Sequence, residues 1–143
     1  MNFEDLIAEL KKDGLGGCSQ VMAKLGLELT GRENPDLIRA MSGLTGGMGS
    51  SGSACGVLTG GAATLGYYMG KGQIEDIPHP DYKEAIRRYV DWFRETYGTD
   101  RCEEIIHGDK EYSRRICPGI IEAGYHKMTE ILEEYGVLNE PCQ

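Results

Sequence analysis

The sequence predicts an all-α fold, a single compact bundle of about five to seven helices over residues 1–143. Three observations predict it. Apolar residues recur at intervals of three and four through most of the chain, which is the spacing of one helix face. Glycine and proline punctuate these runs where helices stop or start. No stretch sustains the alternation of a half-buried strand.

Taken in order, Phe3, Leu6, Ile7 and Leu10 mark an N-terminal helix within residues 1–14, and Gly14 stops it. Val21, Met22, Leu25 and Leu29 place a second helix from about Cys18 to Leu29. Asn34 followed by Pro35 is an N-cap and a first-turn proline, so a third helix starts there, with Leu37, Ile38 and Met41 inward. A glycine-rich loop, Gly43 to Ser53, leads into a helix from about Ala54 to Met69. Pro78 and Pro80 break the chain before an amphipathic helix, Asp81 to Tyr97, which Gly98 ends. A short helix is expected at Arg101 to His107. A last one is expected from Pro118 to Tyr135, closed by Gly136, with residues 137–143 as a tail.

Composition bounds the function. The net charge is −8, which argues against nucleic acid or an anionic membrane as the main partner. No charge occurs between Arg39 and Lys71, but that stretch is broken by glycines and holds no run of about 20 apolar residues, so no membrane span is expected. The first residues carry Glu4, Asp5, Glu9, Lys11 and Lys12 in place of an apolar signal core, and the expected location is the cytoplasm. Disulfides are rare there, so spaced cysteines point to metal or redox chemistry.

There are five cysteines. Cys142 sits at the chain's end and is set aside. The other four, Cys18, Cys55, Cys102 and Cys117, are all expected at helix starts. Cys18 follows Gly16-Gly17, and Cys55 follows the glycine–serine loop. Asp100 with Glu103 reads as a capping box around Cys102, and Cys117 precedes Pro118 as an N-cap. Free N–H groups and the positive dipole end of a helix stabilise a thiolate, the form that attacks disulfides and binds metal. Buried inert cysteines are common, but four at helix starts make a chemical pattern. No CxxC pair is present, so the local spacings of zinc fingers, thioredoxins and ferredoxins are all absent.

Read together, Cys18-Ser19-Gln20, Gly46-Gly47-Met48-Gly49, the run Ser53-Ala54-Cys55-Gly56-Val57-Leu58-Thr59-Gly60, and the lone Cys102 and Cys117 form a pattern. In this order they resemble the C_GCAxxG_C_C family of four-cysteine redox-active proteins. The resemblance covers about Cys18 to Glu134. Val57 stands where the family usually has Ala. The pattern is also similar to the cluster-bearing part of split-Soret cytochrome c. That resemblance implies an iron–sulfur cluster, [2Fe–2S] in type, on Cys18, Cys55, Cys102 and Cys117. No CxxCH attachment site is present, so haem is not implied.

Three functional readings stay open. One is an electron-transfer or redox-sensing protein serving a redox partner protein. Another is a metal-free thiol–disulfide oxidoreductase with Cys55 attacking, and the third a zinc-stabilised interaction module. A homodimer through the glycine- and tyrosine-rich helix Ala54–Met69 is a further expectation. His79, His107 and His126 are expected to cap helices or face solvent. Arg87-Arg88 and Arg114-Arg115 are expected to be solvated ion-pair partners. Ser53 and Thr59 are expected near the Cys55 sulfur.

Overall fold

The structure is a computed structural model that describes residues 3–138. Helix α1 spans Phe3–Lys12, α2 Cys18–Glu28, α3 Pro35–Met41, α4 Gly56–Met69, α5 Tyr82–Tyr97, α6 Cys102–Ile106 and α7 Lys110–Glu134. Among the described residues no strand forms, and one antiparallel bridge joins Ala54 to Arg101. The fold is all-α. Cys142 and the last residues of the tail lie outside the described residues.

Helix α4 is the centre of the bundle. It buries Val57, Leu58, Leu65 and Met69 among residues of α2, α5 and α7. Its small residues allow this. A Cβ on Gly60 would stand 2.7 Å from Ser19 Cα, so the α2 and α4 backbones touch only because residue 60 has no side chain. At the next residue, the Tyr89 hydroxyl fills the space a Cβ on Gly61 would need. That buried hydroxyl donates to the Val57 carbonyl at 2.7 Å and ties α5 to the first turn of α4. The buried Ser19 hydroxyl donates to the Met41 carbonyl at 2.7 Å and fixes α3 on α2. Along the same helix Ala62, Ala63, Tyr67 and Tyr68 stay half-buried.

Most expected boundaries fall within two residues of those seen. Asn34 caps α3 by accepting from the Leu37 N–H at 3.1 Å. Gly98 ends α5 at φ +74°. The last helix is the exception: α7 begins at Lys110, not Pro118. The Asp109 carboxylate accepts from the N–H groups of Glu111 and Tyr112 and starts the helix there. Pro118 then lies inside α7, where it cannot donate to the Arg114 carbonyl. Cys117 is therefore a mid-helix residue and not an N-cap. The capping box at Asp100 and Glu103 does not form either. The Asp100 carboxylate pairs with Arg94 at 2.9 Å, because residue 101 is held in the bridge to Ala54. No helix among the described residues is long and apolar enough to cross a membrane.

Candidate functional site

The four cysteines come from distant parts of the chain, and specific contacts bring them together. The Ala54–Arg101 bridge joins two of them. The Cys55 N–H donates to the Asp100 carbonyl at 2.8 Å, and the Cys102 N–H donates to the Ser53 carbonyl at 2.6 Å. The Glu103 N–H donates to the Gly52 carbonyl at 3.1 Å. This short ladder sets the starts of α4 and α6 side by side. The close approach of α2 to α4 delivers the third: a Cβ on Gly56 would lie 3.1 Å from the Cys18 Cβ. Cys117 arrives from α7 and lines the same hollows as Cys18.

All four line one cavity of about 380 Å³. Its apolar wall is Val57, Ile105, Ile106 and Ile120, and its opposite wall is the glycine-rich loop. From Gly46 to Ser50 every residue has positive φ, between +62° and +73°, so the loop makes a left-handed turn. Met48 and Ser50 hold that conformation at a steric cost that the glycines avoid. Gly47 is where the loop comes closest to backbone and to Cys102. A Cβ there would meet the Cys102 Cβ and the Ser53 N at 2.7 Å each.

The electrostatics differ from the expectation that helix starts lower thiol pKa values. Cys18 opens α2, Cys55 takes the N-cap position of α4 and Cys102 opens α6. All three thiols are nevertheless pushed up. Burial raises Cys55 to about 11, although the Val57 and Leu58 N–H groups favour its thiolate. Cys18 rises because its thiol is hydrogen-bonded to Cys117, and because it is buried. Cys102 rises through burial and then through the charge on Cys117.

Cys117, the mid-helix residue, goes the other way. It falls to about 6, chiefly through the hydrogen bond from Cys18, with help from Ser113 and the Lys11 ammonium. The Ser113 hydroxyl stands 3.2 Å from the Cys117 sulfur. Cys117 is thus the most acidic thiol of the set. Cys55, buried and protonated, is not placed to attack a disulfide.

Among the described residues the four cysteines are free thiols. No three Cys, His, Asp or Glu side chains among them converge to hold a metal ion.

Other expected residues fall outside the centre. Thr59 donates to the Cys55 carbonyl, not to its sulfur. His79 accepts the Asp81 N–H just before α5, which has no side-chain cap, His107 ends α6, and His126 faces Glu122 at the surface. Arg88 pairs with Glu134, as expected of an ion-pair partner. Neither Arg114 nor Arg115 has a carboxylate within ion-pair distance among the described residues. Ser113 escaped the sequence reading. Its signal is the four-residue spacing to Cys117, which has meaning only once both are on one helix.

Neither a curated protein nor a solved structure gives a significant match to the chain. A family model described as "Putative redox-active protein (C_GCAxxG_C_C)" matches residues 17–131, a span that contains all four cysteines and the glycine-rich wall between them. The chain therefore belongs to the C_GCAxxG_C_C family of redox-active proteins.

Proposed function

We propose that this protein carries an iron–sulfur cluster, [2Fe–2S] in type, on Cys18, Cys55, Cys102 and Cys117, and serves in electron transfer or redox sensing with a protein partner. One observation carries the proposal: four cysteines from four helices line one glycine-walled cavity. The donor set is sulfur only, as iron–sulfur clusters require. The four thiols do not close on one point, and the cavity of about 380 Å³ leaves room for a group larger than one ion.

When bound, such a cluster supplies one-electron chemistry at a potential set by its surroundings. The chain's own residues supply those surroundings. The Val57 and Leu58 N–H groups point at the Cys55 sulfur, and the Ser113 hydroxyl touches the Cys117 sulfur. Such hydrogen bonds favour the more negative, reduced state. Ile105, Ile106 and Ile120 limit water. Loading requires three raised thiols to release their protons, so metal uptake should be steeper at higher pH.

The test is anaerobic purification with iron and acid-labile sulfide assays and a visible spectrum. Equal iron and sulfide, with colour lost in each Cys→Ser variant at the four positions, is the expected result. A colourless protein without iron rejects the cluster.

One observation favours a second reading. Cys117 and Cys18 line one cavity and their thiols are shifted in opposite directions, Cys117 down and Cys18 up, which is the asymmetry of an attacking and a resolving cysteine. In a metal-free oxidoreductase, Cys117 would attack and Cys18 would resolve. A reversible Cys18–Cys117 disulfide in iron-free protein, found by mapping peptides under oxidising conditions, distinguishes this reading.

A further inference from the structure

Cys18 and Cys117, with Gly46 and Ser113, stand between the main cavity and a second hollow of about 210 Å³ that shares these four residues with it. Lys11 and Arg114 stand at its rim, with Gly17 at the start of α2 and Ser113 on its wall. The Lys11 stem lies against Gly16, where a Cβ would fall 2.3 Å from Lys11 Cγ, and the exposed Lys11 side chain lines the hollow. A neighbouring hollow continues outward between Lys11, Arg114, Arg115 and Glu4. Among the described residues, neither Lys11 nor Arg114 has a carboxylate within ion-pair distance. The chain carries a net −8, so this concentration of cations runs against its overall sign.

The geometry points to a small-anion site: this rear hollow binds a carboxylate- or oxyanion-bearing organic molecule and presents it to the Cys18–Cys117 edge of the redox centre. Two cations with no carboxylate partner, beside the positive end of α2, hold an anion in a recess sized for a small molecule. A protein partner needs a broad surface, whereas the recess itself is what the structure offers. The inference takes its purpose from the redox reading, but it does not require a cluster.

The test uses reduced, metal-free protein in a Cys142→Ser background. Labelling of Cys117 is followed by peptide mapping with two disulfide reagents, the dianionic dithiobis(nitrobenzoate) and the neutral dithiodipyridine. The anionic-to-neutral rate ratio is expected to fall about tenfold in K11E/R114E and to fall with salt in the parent. Inorganic phosphate is expected to slow the anionic reagent more than chloride does at the same ionic strength. The neutral reagent reports folding, since a disrupted variant would be labelled faster by both. A ratio unchanged by K11E/R114E overturns the proposal, as does equal action of phosphate and chloride. A ratio that falls only in K110E, at the mouth of the main cavity, overturns it as well. Iron content is measured separately on the protein as purified, so loss of the cluster reading leaves this result standing.

Discussion

Gly47→Ala isolates what the glycine-rich wall contributes. Residue 47 sits at φ +73°, which costs an L-residue about 1–2 kcal/mol. Its new Cβ would meet the Cys102 Cβ and the Ser53 N at 2.7 Å and the Ser53 carbonyl at 2.8 Å. Two of those three atoms are backbone and cannot rotate away. Overpacking of this kind adds about 1–3 kcal/mol, so the whole change should cost about 2–5 kcal/mol. Gly49→Ala is the control. Residue 49 has φ +68° but nothing within 4 Å of its Cβ, so only the backbone cost of about 1–2 kcal/mol remains. Urea unfolding of the reduced protein measures both, and the difference between the variants reports the close approach alone. Equal losses for G47A and G49A would refute the claim that residue 47 sets the spacing of Cys102 from the loop.

Three further outcomes follow from the same geometry. In reduced, metal-free protein, alkylation of Cys117 should fall off below about pH 6, and Cys18→Ala, which removes the neighbouring donor, should move that midpoint upward; an ordinary thiol profile in the parent contradicts the lowering of Cys117 by its neighbours. The sign is that of a depressed acid: the stability this thiolate adds is complete above its ordinary value of 9.0 and is lost as pH falls through about 6. Pro118→Ala should stabilise the protein by about 1–3 kcal/mol in thermal or urea unfolding, since it restores a donor inside α7; a loss of stability would place Pro118 at a helix start instead. Tyr89→Phe should cost about 1 kcal/mol by removing the buried hydrogen bond to Val57, and no measurable change would show that this bond does not anchor the first turn of α4.

The fold was legible wherever the residues at a helix end carry their own cause. Asn34-Pro35 and Gly98 do so, and the structure places helix ends there. The stripe of Ala85, Tyr89 and Phe93 is buried as its spacing requires. The start of α7 was hidden because residues 109–115 are largely polar and show no apolar stripe. There Pro118 resembles a first-turn proline more strongly than Asp109 resembles a cap. That one misplacement also hid Ser113 and put Cys117 in the wrong local environment. The identities of the four cysteines were legible, but their thiol character was not. A helix start favours a thiolate only while solvent is near, and at Cys55 burial outweighs two N–H donors. Their convergence depends on the Ala54–Arg101 bridge and the contact of Gly60 with Ser19, which no local spacing encodes.

Iron-edge X-ray absorption on anaerobically purified protein tests the central claim most directly, because it counts the atoms around each iron. The account predicts sulfur-only coordination with an iron–iron vector, and loss of that vector in a Cys→Ser variant at any of the four positions. Protein without iron, or iron bound by nitrogen and oxygen alone, would contradict it.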